Sequence, residues 1–143
     1  DLTGADLTGA KLYSANLFNA NLNAANLTKA NLKNAKMSNV DLNGADLDGT
    51  NLSWADMRDA RDLGAVNLNR AIFERTNLRG AKLQGMDLSG ADLSTADLEW
   101  AHLNNATLVG TNLKGAKTSF ADFSGARISP TRTCREGSTG YCR

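Results

Sequence analysis

Leucine or methionine stands at every fifth position from Leu2 through Leu7, Leu12, Leu17, Leu22, Leu27, Leu32, Met37, Leu42, Leu47 and Leu52 to Met57. Around each the pattern is constant: a small residue, then Asp or Asn, then Leu, then two variable residues, as in Ala15-Asn16-Leu17-Phe18-Asn19. An α-helix advances about 100° per residue, so this spacing carries each Leu about 140° round the axis and no apolar stripe forms. A flat strand alternates faces with period two, so an odd spacing sends successive Leu residues to opposite sides. The interior Gly, Asn, Thr and Ser also disfavour a long helix.

A chain that turns one corner per unit satisfies an odd repeat, because every Leu then points inward and the next coil stacks beneath it. Short fixed-period repeats are the sign of such solenoids. Ala at the other inward position (Ala5, Ala10, Ala15, Ala20, Ala30, Ala45, Ala91, Ala96) predicts a shaft too narrow for two large side chains per unit. Val40, Thr50, Val66, Thr76, Met86 and Thr111 take that position elsewhere, where the shaft is expected to widen or a neighbouring coil to yield room.

From Asp1 to about Ile128 the chain resembles the pentapeptide-repeat family, whose motif of small residue, Asp/Asn, Leu/Phe and two free positions recurs in about twenty-six consecutive copies. The resemblance implies an all-β fold, a right-handed four-sided parallel β-helix with one coil per four units. About six and a half coils at about 4.8 Å each give a rod about 30 Å long.

The phase slips once. Met57 is followed by Leu63, and Leu68, Phe73, Leu78, Leu83, Leu88, Leu93, Leu98, Leu103, Leu108 and Leu113 keep the displaced spacing. One extra residue within 60–65 reads as a corner bulge eased by Gly64, and less well as a domain boundary, since no Pro or polar linker accompanies it. Thr118 replaces a Leu and weakens the core, while Phe120, Phe123 and Ile128 add bulk. The expected organisation is a β-helix over 1–130, ending at Ser129-Pro130, and a C-terminal capping tail over 131–143.

That tail holds Cys134 and Cys142, the two cysteines of the chain, flanking Gly-Ser-Thr-Gly. The separation suits a small disulfide-closed loop, which would place the protein in an oxidising compartment such as a periplasm or thylakoid lumen. Reduced thiols, with a cytoplasmic location, are the other reading. Two cysteines make a poor zinc site.

Sixteen basic and fifteen acidic residues give a net charge of +1. Some pentapeptide-repeat proteins confer quinolone resistance by imitating DNA and binding gyrase, a role that needs a dense carboxylate surface. The charge balance speaks against that role, and equally against a nucleic-acid binder. No apolar run approaches the length that spans a bilayer. The chain begins at Asp1 in mid-repeat, which reads as a removed leader or a trimmed terminus.

No enzyme chemistry is expected. His102 occupies a slot that usually holds Asp or Asn, with no implied nucleophile beside it, and reads as a surface substitution. Asp6, Asp41, Asp46, Asp56, Asp87, Asp92, Asp97 and Asp122 recur before Leu and read as structural, satisfying turn amides. Calcium is not expected, because the period differs from that of calcium-binding nonapeptide repeats and the Gly residues fall at the corner position. No phosphate-cradling or dinucleotide motif is present, so neither a metal nor a cofactor is expected.

With units four apart sharing a side, Tyr13 and Trp54 fall on the third side, and Phe18, Trp100 and Phe120 on the fourth. Arg58, Arg75, Arg79, Lys11, Lys33, Lys36, Lys114 and Lys117 lie on the same half, whereas Asp1, Asp41, Asp48, Asp62 and Asp87 lie on the other. Trp, Tyr and Arg dominate contact energies at protein interfaces. The expected role is a non-enzymatic scaffold that docks another protein through Tyr13, Phe18, Trp54, Arg58, Arg75, Arg79, Trp100 and Phe120. In the opposing view these aromatics only cover neighbouring coils. The rival function is a gyrase- or topoisomerase-binding DNA mimic, and a homodimer joined through a solenoid end is a further expectation.

Overall fold

The computed structural model describes residues 1–60, 66–68, 70–129, 132–134 and 140, with 132 and 133 described by backbone alone. Parallel bridges join each residue before Leu to the residue one coil on: Asp6 to Asn26, Asn26 to Asp46, Asp92 to Asn112, Thr107 to Arg127. The separation of twenty residues is four units, so the coil has four sides. They are numbered here from the side carrying Leu2, Leu22 and Leu42; Leu7, Leu12 and Leu17 begin the second, third and fourth.

Every amide of a unit has a fixed destination, and this explains the motif. The Leu amide and the amide two residues later donate to the next coil, as Leu7 N to Asn26 O at 2.7 Å and Gly9 N to Thr28 O at 2.8 Å. The amide before Leu donates to the previous coil, as Asn26 N to Ala5 O at 2.9 Å. The small residue closes the corner by donating to the preceding Leu carbonyl, as Ala10 N to Leu7 O at 3.0 Å. The one donor that no carbonyl reaches follows Leu, and the Asp or Asn before Leu accepts it: Thr8 N to Asp6 Oδ1 at 3.1 Å, Ser53 N to Asn51 Oδ1 at 3.0 Å. The expected structural role of these carboxylates is therefore met, since a buried or strand-end donor left unpaired is costly.

Each corner also needs one residue of positive φ, two places after Leu, in the pattern of a type II turn. Those φ values lie between 54° and 73° throughout the coils, for Gly44 and Gly85 and equally for Lys29, Trp54, Thr95 and Trp100. Glycine adopts this region freely and other residues at a cost, which is why Gly recurs at that position in the regular units.

Leu and Ala share the shaft as expected. Leu22 to Met57 and Leu78 to Leu103 are fully buried at the Leu positions, and the Ala positions from Ala25 to Ala106 are closed to solvent. Val40, Thr50, Val66, Thr76 and Met86 at the small position are buried and Thr111 is half-buried, and the hydroxyls of Thr50, Thr76 and Thr111 donate to the carbonyls of Leu27, Leu52 and Leu88, each at 2.7 Å. Leu2, Leu7 and Leu12 are only partly buried at one end, and Leu113, Ala116 and Thr118 at the other.

Across 60–66 the bridge separation becomes twenty-one, as in Asp46 to Asn67 and Asp56 to Asn77, and then returns to twenty. The stack continues without a break. The extra residue itself, with Leu63 and Gly64, lies outside the described residues.

Near the end, β1 (Arg127–Ser129) pairs antiparallel with β2 (Arg132–Thr133). The chain then returns over the last coil: Cys134 N donates to Ala126 O at 2.6 Å, Gly140 N to Ala121 O at 2.7 Å, and the Thr118 hydroxyl to the Gly140 carbonyl. Phe123 fills the shaft and Ile128 packs against it, while Phe120 stands at the corner position and points to solvent on the fourth side, where the coil count places it, so its bulk adds nothing to the shaft. Among the described residues no helix is long and apolar enough to cross a membrane.

Candidate docking surface

The exposed large hydrophobics among the described residues are Tyr13, Phe18, Trp54, Ile72, Trp100 and Phe120, between 39% and 63% accessible. All belong to the third and fourth sides, which adjoin. The coil arithmetic that placed the aromatics there therefore holds. Ile72 was missed, although it breaks the pattern as an aliphatic residue in the slot before Phe73.

The aromatics are partly engaged with one another's neighbours. The Trp100 and Phe120 rings stack with centroids 4.4 Å apart and planes at 15°. The Arg75 guanidinium lies 4.7 Å from the centre of the Trp54 ring. The Tyr13 hydroxyl accepts from Asn34 Nδ2 at 2.9 Å. These rings shield a neighbouring coil and still leave about half their surface to solvent.

The arginines are less free than the sequence implies. Arg58 grips Asp56 with two bonds, at 2.9 and 2.8 Å, and Arg79 pairs with Glu99. Arg75 has Glu74 within 3.9 Å. Such surface pairs contribute little to stability, about 0–1 kcal/mol, but they fix the guanidinium groups in place. Along the fourth side an open hollow of ≈ 580 Å³ runs past Asn16, Phe18, Lys36, Ser38, Asp56, Arg58 and Asp59. A second of ≈ 310 Å³ continues it through Arg58, Asp59, Arg79, Gly80 and Trp100.

The other half is more acidic. Lys82, His102 and Asp122 follow one another down the first side, with His102 exposed and next to Asp122. The nearest hollow, ≈ 480 Å³, is lined by Asn104, Asn105, Asp122, Ser124 and Gly125, and His102 is not part of it. Among the described residues no three His, Cys, Asp or Glu side chains converge on one point.

Several carboxylates titrate below the ordinary value of 3.8 because of their place in the repeat. Hydrogen bonds from Ser89, Ser94 and Ser124 hold Asp87, Asp92 and Asp122 down, Thr8 does so for Asp6, and the Arg58 guanidinium for Asp56. Their contribution to stability is fully present above the unfolded value and is lost as pH falls through the lowered folded values. The thermal midpoint should therefore stay level from neutral pH to about pH 5 and fall below about pH 4. Ser89→Ala should lower the midpoint at neutral pH slightly and make the acid fall shallower, because Asp87 then titrates more nearly alike in both states; a midpoint that rises on acidification contradicts the assignment.

Cys134 is buried, and no free cysteine occurs among the described residues. Cys142 lies outside them, so its pairing stays with the expectations.

A comparison with curated proteins finds no match. Among solved structures the chain is similar to HetL, a pentapeptide-repeat protein involved in heterocyst differentiation regulation from the cyanobacterium Nostoc, at 37% identity and TM-score 0.37 over 93% of this chain. It spans 63% of HetL's length. QnrB1, a plasmid-mediated fluoroquinolone resistance protein, is 20% identical over 90% of this chain and 72% of its own, with TM-score 0.45. A pentapeptide-repeat protein of the Arabidopsis thaliana thylakoid lumen is 22% identical over 99% of this chain and 86% of its own, with TM-score 0.32. The family profile described as pentapeptide repeats matches in eight copies over residues 1–23, 25–61, 62–94 and 91–129. The chain belongs to the pentapeptide-repeat family, and its four-sided coil is that family's right-handed parallel β-helix.

Proposed function

We propose that the chain is a non-enzymatic scaffold that binds another protein through its third and fourth sides. The observation that carries this reading is the confinement of every exposed large hydrophobic among the described residues to those two adjoining sides. A rigid rod holding Trp, Phe, Tyr and Arg at strand spacing needs little further ordering on binding, and that lowers the cost of association. Trp54→Ala with Trp100→Ala should remove the partner retained by the wild-type chain on an affinity column loaded with native-source extract. An unchanged set of bound proteins contradicts the proposal.

The DNA-mimic reading takes its support from the likeness to QnrB1 and from Asp1, Asp41 and Asp122 on the first side. Lys82 and His102 stand in the same row and break the carboxylate series. Inhibition of gyrase supercoiling by the purified chain would favour that reading over the docking one.

The tail over 131–143 is read as a cap, with Cys134 bridged to Cys142. That bridge, together with the likeness to a thylakoid-lumen protein, favours an oxidising compartment. Intact mass should rise by two hydrogen atoms on reduction; no change would return the cytoplasmic reading.

A further inference from the structure

On the fourth side the corner positions form a row in which successive coils place Asn19, Asn39, Asp59, Gly80, Trp100 and Phe120 one above another. Neighbours in this row touch: Asn39 Nδ2 donates to Asn19 Oδ1 at 2.8 Å, and Trp100 stacks on Phe120. Gly80 has no side chain, so one rung is missing. At about 4.8 Å per coil the rungs on either side of it are about 9.6 Å apart, enough for one planar group between them.

The walls of that gap have definite chemistry. One face of Trp100 is covered by Phe120, and the ring lines the hollow it shares with Gly80, Asp59, Arg58 and Arg79. Asp59 leans over the gap, its Oδ1 2.8 Å from where a Cβ on Gly80 would stand. Arg58 is held by Asp56 and Arg79 by Glu99, whereas Asp59 has no ion pair among the described residues. One negative charge is left over, opposite an aromatic face.

The third side shows what fills such a rung. There Arg75 stands one coil beyond Trp54 in the corresponding row, with its guanidinium over the ring. We infer that the Gly80 gap receives an arginine side chain from a basic segment of the docked partner, its guanidinium stacked on Trp100 and bonded to Asp59. Cation–π contact and the carboxylate both favour a planar cation. A lysine ammonium is compact and more strongly hydrated and fits less well. A neutral ring could stack but would leave Asp59 unpaired. This inference rests on the docking reading, and it names the chemistry one part of that surface accepts.

The test uses the whole chain with Trp54→Phe, so that Trp100 is the one reporting indole, and the probe acetyl-Gly-Arg-Gly-amide. Titration should give a saturable change in Trp100 fluorescence and in its indole N–H shift, with a clearly weaker response to the lysine tripeptide. Asp59→Asn should weaken binding about fivefold. Gly80→Arg should abolish it by supplying the guanidinium within the chain; Arg70 and Arg75 already occupy this backbone conformation, with φ of 57° and 56°. Should Gly80→Arg misfold, Asp59→Asn still decides. No response up to about 10 mM probe, an equal lysine response, or undiminished binding by Asp59→Asn overturns the inference. If the peptide fails while the double Trp variant still loses its partner, the slot is wrong and the docking surface stands. If the peptide binds while the partner set is unchanged, the slot stands and the docking reading falls.

Discussion

Phe73→Ala is expected to destabilise the rod by about 3–5 kcal/mol. Phe73 takes a Leu position on the third side, is 2% exposed, and is the bulkiest fully enclosed side chain in the shaft. Its neighbour Ile72 is bridged to Asn51 on one side and Asp92 on the other, and the Phe73 amide donates to Asp92 O at 2.9 Å. Walls tied to both adjacent coils cannot close over the missing ring, so a cavity remains and the cost sits at the upper end for lost packing. Because each coil touches only its neighbours, amide exchange should quicken first in the coils containing Leu52, Phe73 and Leu93. A loss below about 1 kcal/mol in chemical denaturation would show that the ring is not enclosed.

Ala96→Leu is expected to cost about 1–3 kcal/mol, although it adds apolar surface. Ala96 is fully buried and shares its level of the shaft with Leu93 and Leu98. Its amide closes the corner on Leu93 O at 3.1 Å, so the backbone cannot retreat without opening that turn. A second branched side chain in the same unit then forces poor rotamers or pushes the coils apart. A neutral or stabilising outcome, read as an unchanged denaturation midpoint, would mean the shaft is wider than Leu and Ala require.

What could be read from the sequence followed from arithmetic. A five-residue step places Leu22 and Ala25 inside and Trp54 and Trp100 outside, whatever their neighbours do. The coil of four sides came from the family resemblance, and the bridge spacing of twenty now supplies it directly. Side-chain partnerships were not readable in this way. Arg58 had Asp56 beside it and Asp59 after it, and only the direction of each side chain shows that Asp56 takes the guanidinium and Asp59 is left. The Gly80 gap was in principle visible, since a row of Asp, Gly, Trp and Phe follows from counting twenty or twenty-one. The repeat motif alone explains each Gly as a corner device, and only the stacking of rows shows Gly80 as the absence of a rung.

Phe120 falls outside by the same count: its place two residues after Thr118 demands a positive φ and sends the ring outward, so its bulk does not thicken the core there. The hydroxyls of Thr50, Thr76 and Thr111 were read for size alone, when their bonds to Leu27, Leu52 and Leu88 are what let a polar group sit in the shaft. β2 lies beyond the repeat, where no period constrains the chain, so its antiparallel pairing with β1 could not be counted out in advance.

The coil itself is tested most directly by nuclear Overhauser contacts between backbones in solution. Strand contacts should join residues twenty apart before position 60 and again beyond 66, as for 26 with 46 and 92 with 112, and twenty-one apart across the insertion, as for 56 with 77. An unbroken series of contacts from every residue to the one four further on, or coil contacts at any other spacing, would contradict the four-sided stack and remove the basis for assigning the aromatics to two adjoining sides.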